Sequence, residues 1–139
     1  MKRDENTTLD LVPLSEAEAC IAAYKQTLYD QKISHENILK AYLLRTRDLF
    51  EAFGLDKSAV FELSHPYVRI YIGLEKGTFA NNYRLFLVPV TLDGNDDIPF
   101  GYINDGDAFP QSYVYDFNTP CPKTCDRNSR LYQAGSVLE

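Results

Sequence analysis

The sequence predicts an α+β fold in which an N-terminal antiparallel helix pair packs on an antiparallel sheet of three to four strands. Two observations carry this prediction. Apolar residues recur every three to four positions before Gly54 and every second position after Pro66. The turns between the alternating segments are too short for crossover helices, so neighbouring strands must run antiparallel. At 139 residues the chain suits one domain with a core of its own.

Residues 1–13 are polar up to Pro13 and read as a flexible N-terminal arm. The single domain would occupy 14–139. Ser15-Glu16-Ala17-Glu18 has the form of a capping box, which predicts a helix over about 15–31. Its buried stripe would be Ala17, Cys20 or Ile21, Tyr24 and Leu28. A second helix is predicted over about 35–53, with Ile38, Tyr42, Leu49 and Phe53 on one face and Gly54 as the left-handed residue that ends it. Residues 56–63 fit either a short helix or a strand.

After Pro66, Val68, Ile70, Ile72 and Leu74 alternate with Tyr67, Arg69 and Tyr71, the pattern of a half-buried strand. Tyr83–Leu92 reads as a second strand, apolar on both faces, and Pro89 marks a bulge or an edge there. Asp93-Gly94 is a turn, 98–103 a further strand, and Tyr113, Tyr115 and Phe117 alternate in the last one. The sheet thus spans about 67–117, and a cysteine-bearing segment, 118–139, follows it.

Composition excludes several classes. The net charge of −6 argues against nucleic acid and anionic membrane surfaces, which need a basic patch. No run of 18 apolar residues exists to span a bilayer. Met1-Lys2-Arg3-Asp4-Glu5-Asn6 has no apolar stretch behind it, so the expected compartment is the cytoplasm, provided that Met1 is the native start. Ten tyrosines suit a sheet with one partly wet face.

Three cysteines do not make a disulfide framework, and Cys20, inside the first helical pattern, reads as a small buried hydrophobe. Cys121 and Cys125 lie in Pro120-Cys121-Pro122-Lys123-Thr124-Cys125-Asp126. Four readings stay open for them. They can pack in a plain C-terminal turn. They can form a disulfide, which requires Cα atoms within about 6 Å. They can hold a metal, zinc or copper, with His35, His65 or Asp126 completing the ligand set. They can act as a redox pair if Lys123 or a helix N-terminus stabilises a thiolate. The string C-P-x-x-C also occurs in copper-delivering thioredoxin-fold proteins, but those carry it early in the fold, whereas only 14 residues follow Cys125 here. Nothing in the sequence requires a cofactor.

Asp93-Gly94-Asn95-Asp96-Asp97 resembles the start of a calcium loop, but Ile98 and Asn104 stand where that loop needs Gly and Glu. Asn104-Asp105-Gly106-Asp107 is a second acidic turn; the two together can be read as a cation site, and the preferred reading is solvated turns between strands. No nucleophile elbow, phosphate loop, dinucleotide fingerprint or zinc-protease motif is present, and no catalytic residue is assigned. Arg69, Tyr71, Tyr83 and Arg84 are expected to line an exposed sheet face, with the aromatic and arginine side chains that anchor protein interfaces.

Three strings occur in order: Tyr67-Val68-Arg69-Ile70-Tyr71-Ile72-Gly73-Leu74, Leu85-Phe86-Leu87-Val88-Pro89-Val90, and Tyr115-Asp116-Phe117-Asn118-Thr119-Pro120-Cys121-Pro122-Lys123-Thr124-Cys125-Asp126. Over residues 67–131 the chain resembles a group of small bacterial proteins of uncharacterised activity. They share an R-x-Y-x-G strand and a Y-D-F-x-x-P-C-P-x-x-C-D ending. The resemblance implies that the cysteine segment belongs to one module with the sheet; it brings no activity and no catalytic residue. The expected function is therefore a non-enzymatic binding or interaction domain that meets a protein partner through an exposed sheet face. The alternative is a metal-binding or thiol-redox module centred on Cys121 and Cys125.

Overall fold

A computed structural model describes residues 10–54, 65–75, 83–117 and 126–135. The fold is α+β with an antiparallel sheet, as the sequence predicts, but the described residues form six strands rather than three to four. In chain order the elements are β1 (Asp10–Pro13), α1 (Leu14–Asp30), a 3₁₀ turn (His35–Asn37), β2 (Ala41–Arg45), α2 (Thr46–Ala52), β3 (Tyr67–Leu74), β4 (Tyr83–Val90), β5 (Phe100–Gly101), β6 (Gln111–Phe117) and α3 (Arg130–Gln133). The main sheet runs β1-β6-β4-β3-β2, and β5 pairs separately with β6.

Three expectations are corrected. Residues 10–13 are not part of a loose arm: they pair with β6, Val12 opposite Val114. α1 starts one residue earlier than predicted, with Pro13 at its cap, and no side chain caps it. The predicted capping box therefore does not form, because the strand ending at Pro13 delivers the chain straight into the first turn. The largest correction concerns 35–53. In place of one long helix, the chain makes a 3₁₀ turn, strand β2 and the seven-residue α2. Leu43 and Leu44 pair opposite Arg69 and Val68 of β3. A nineteen-residue apolar pattern satisfied the helical period, but β3 offered a ladder, and strand pairing overrode local propensity. Gly54 ends α2 with φ +77°, as expected of a residue past a helix end. The ambiguous stretch 56–63 lies outside the described residues.

β3 and β4 form where the alternation places them, and the register Tyr71↔Phe86 aligns their faces. Residues 84, 86, 88 and 90 of β4 are buried, while 83, 85, 87 and 89 are more open. β4 pairs with β6 only over Leu85–Leu87, so Pro89, which has no donor to offer, falls beyond the end of that ladder. The main core joins Ala17 and Cys20 of α1 to Val12, Phe86, Val88 and Val114. Gly73 lets α1 approach: a Cβ there would lie 2.6 Å from Phe86 and 3.0 Å from the Cβ of Cys20. A second cluster, Tyr24, Ile38 and Leu74 with Ile33 and Ile72, closes the far end of β3. Buried Cys20 is the small hydrophobe that its helical position implied.

Candidate functional site

Residues opposite one another in a ladder share a face, so the register decides which of the predicted contact residues belong together. Arg69 lies opposite Val88, Tyr71 opposite Phe86, and Arg84 opposite Gly73. These three residues stand on the face that α1 covers. Tyr83, opposite Leu74, belongs to the other face and is 39% exposed. The four residues expected to form one exposed surface are therefore split between the two sides of the sheet.

On the covered side the polar residues work internally. Arg69 Nη1 donates to Asp96 at 2.5 Å, and its Nη2 donates to the Gly94 carbonyl at 3.2 Å. The Tyr71 hydroxyl donates to the other oxygen of Asp96. Burial, with Asp96 beside it, raises the Tyr71 pKa. The acidic turn at 93–97 is thus a strap clamped to β3, and Asp97 meets His65 at 2.7 Å. Arg84 is buried, with its Nη2 2.5 Å from Asp116 and 3.1 Å from Glu16. Its Nη1 donates to Cys20 Sγ at 3.7 Å, and its guanidinium carbon lies 5.1 Å from the centroid of the Phe86 ring. Burial alone would lower the Arg84 pKa, but the hydrogen bonds and charge of Asp116 and Glu16 outweigh it and raise the value. The same burial raises the pKa of the Cys20 thiol against the pull of Arg84.

The opposite face is built otherwise. Tyr42, Ile70, Leu87, Tyr115 and Leu11 are partners in sequence across β2, β3, β4, β6 and β1, which makes one continuous row across the main sheet. Every member is apolar or aromatic, none is buried, and Tyr42 is 55% exposed. Leu85, 41% exposed, and Leu44 flank the row. All charged residues of the five main strands, Asp10, Arg45, Arg69, Arg84 and Asp116, have registers that place them on the α1 side. An antiparallel sheet with one wet face ordinarily turns its polar residues outward. Here Arg69, Arg84 and Asp116 face in, where they pair, while Asp10 and Arg45 at strand ends are exposed; on the opposite side Tyr42 and Leu85 are exposed, and Val68, Leu74 and Tyr113 are buried.

Sequence reasoning missed this arrangement because strand alternation separates two faces without saying which is inside. The signal available was the charge-free series Leu85, Leu87, Pro89 in β4 beside Val68, Ile70, Ile72 in β3. A cleft of about 550 Å³ lies between β1, the start of α1 and the 103–111 loop, lined by Leu11, Pro13, Glu16, Asp107 and Phe109 among others. The Asn104–Asp107 turn beside it is closed on itself, with Asp107 accepting from the Asn104 backbone N–H at 2.9 Å. Cys121 and Cys125 lie outside the described residues. Among the described residues, no group of three or more His, Cys, Asp or Glu side chains is placed to hold a metal ion. No described helix is long and apolar enough to cross a membrane. No family model matches the chain, nor does any curated protein or solved structure.

Proposed function

We propose that this chain is a non-enzymatic protein-binding domain whose contact surface is the outward, charge-free side of its sheet. The observation that carries the reading is the unbroken row from Tyr42 to Leu11 with no charged residue on that side of the five main strands. Large exposed apolar patches mark sites of contact, since leaving hydrocarbon in water costs about 25 cal/mol per Å². Tyrosines within the row add rigid contact area at low entropic cost. Of the residues expected to form the contact, Tyr83 keeps its place at the margin of this surface. Arg69, Tyr71 and Arg84 instead hold the fold beneath it.

The test is site-specific photo-crosslinking in cells, with a benzophenone side chain in place of Tyr42 or Leu85, and in place of Glu18 on the exposed side of α1 as the control. Adducts of defined mass from positions 42 and 85 but not from 18 are expected. Equal labelling at all three positions, or none at 42 and 85, would remove the surface from consideration.

A further inference from the structure

We infer that the outer edge of β2 takes up an extended, acid-flanked segment of another protein as a further strand of the sheet. This goes beyond the outward face and does not depend on it, because the groups concerned are backbone groups at the rim. Among the described strands β2 ends the main sheet. Ile72 N–H donates to the Lys40 carbonyl, and Thr46 N–H donates to the Pro66 carbonyl. These two bonds fix the phase of the ladder. With Tyr42 opposite Ile70, the N–H and C=O groups of Tyr42 and Leu44 point to β3. Those of Ala41 and Leu43 point away from the sheet, as does the N–H of Arg45, whose carbonyl begins α2. Among the described residues nothing bonds to these outward groups.

Sheet edges are ordinarily blunted by proline, charge or a bulge. The other edge, β1, carries Asp10 and ends in Pro13. Between Ala41 and Leu44, β2 has no proline, no charge and an unbroken register, and Tyr42 and Leu43 are 55% and 52% exposed. An added strand sets alternate residues beside Tyr42 and Leu44 on one side and beside Leu43 on the other. Charge then selects the strand. Residues 39–47 hold Lys40, Arg45 and Arg47 and no acid, in a chain of net charge −6. Arg45 pairs with Asp48 at 2.8 Å. Lys40 donates to the His35 carbonyl, and among the described residues neither it nor Arg47 forms an ion pair. A cation therefore stands at each end of the open ladder with apolar residues between. An extended segment with an apolar middle and an acidic residue at each end complements it. A second copy does not. Antiparallel pairing about Leu43 brings Lys40 of each chain to the end where Arg45 and Arg47 of the other stand, and like charges oppose it.

Amide hydrogen exchange of the full chain, read by NMR, tests this. The probe is a synthetic peptide of alternating valine and threonine with two glutamates at each end, set against the same peptide with lysines at the ends. In the free protein the amides of Ala41, Leu43 and Arg45 should exchange rapidly, and those of Tyr42 and Leu44 should be protected. The glutamate peptide should slow the first three by about tenfold or more and leave the other two little changed. The lysine peptide should have no such effect. Leu43→Pro removes an outward donor without taking a bond from the β3 ladder. It should abolish the response at Ala41 and Arg45 with an unchanged circular dichroism spectrum, whereas Leu85→Arg on the outward face should leave the response intact. The alternating pattern needs no variant, so a Leu43→Pro chain that misfolds does not weaken the test. Protection of Ala41, Leu43 and Arg45 without peptide overturns the inference: at the mass of one chain the edge is already closed, and at twice that mass a second copy fills it. No alternating response to the glutamate peptide, or an equal response to the lysine peptide, also overturns it. Exchange reads the rim and photo-crosslinking at Leu85 reads the outward face, so either reading can fall while the other stands.

Discussion

Arg84 carries an unusual amount of structure for one side chain. It reaches from β4 to Asp116 on β6 and to Glu16 on α1, and it lies against Phe86 and Cys20 in the core. Among the described residues Asp116 Oδ1 has no hydrogen-bond partner, so the carboxylate depends on Arg84. Arg84→Met should cost about 3–5 kcal/mol in a urea titration, because it leaves a buried carboxylate uncompensated. Adding Asp116→Asn to that variant should recover a substantial part of the loss. If the second substitution recovers nothing, the cost came from lost packing of the guanidinium. At the same scale, Cys121 and Cys125 remain open to the metal reading. Metal analysis of wild type against Cys121→Ser, Cys125→Ser checks it: zinc or copper at one per chain, lost in the double variant, would establish the site, and metal-free wild type would dismiss it.

Among the elements, α1 and β3 are joined at Gly73, where two buried surfaces come closer than a methyl group allows. Gly73→Ala should destabilise the protein by about 1–3 kcal/mol, since Phe86 and Cys20 must shift within a close-packed core. Thermal denaturation would show it as a lower midpoint; an unchanged midpoint would mean that α1 rides more loosely on the sheet than its geometry implies. β2 shows how an element departs from its local preference. Its residues Tyr42, Leu43 and Leu44 satisfy a helical period as well as a pleated one. The hydrogen bond from Thr46 N–H to the Pro66 carbonyl, 2.9 Å, and that from Ile72 N–H to the Lys40 carbonyl, 3.3 Å, bracket the strand and hold it on β3. Neither partner is near in sequence, so no window of local reading contained the decision. Much the same holds for the surface proposed as the contact site. Tyr83 was read as a contact residue, and its register sets it on that side of the sheet. Leu11, Tyr42, Leu87 and Tyr115 were not grouped, because they come from four strands and meet only through the register.

Taken as a whole, the molecule should respond to alkali. Burial raises the pKa values of Tyr24, Tyr71 and Tyr113 above their ordinary 10.0, and that of Cys20 above 9.0. In the unfolded chain these groups release protons at their ordinary values, while the folded protein still holds them. The unfolded state then binds fewer protons, so stability falls with rising pH. Their contribution is fully present below pH 9 and is lost as pH climbs through the raised folded values. Unfolding free energy measured between pH 8 and pH 11 should decline from about pH 9 upward. A Tyr71→Phe variant should flatten part of that decline; an unaltered slope would show that the other groups carry it.

By itself the sequence determined the α+β class, the place of α1 and its buried stripe, the extents of β3 and β4, and the turns at Gly54 and Gly94. Each follows from a period or from a positive φ that neighbouring residues dictate. Only the tertiary structure decided that Asp10–Pro13 joins the sheet, that residues 41–45 form a strand, and that the Arg69–Tyr71 side of β3 is the covered one. The physical reason is common to all three. Hydrogen-bond ladders and paired charges are formed between residues far apart in the chain, and a strand with hydrocarbon on one side and neutralised charge on the other has no inside until its partners are in place.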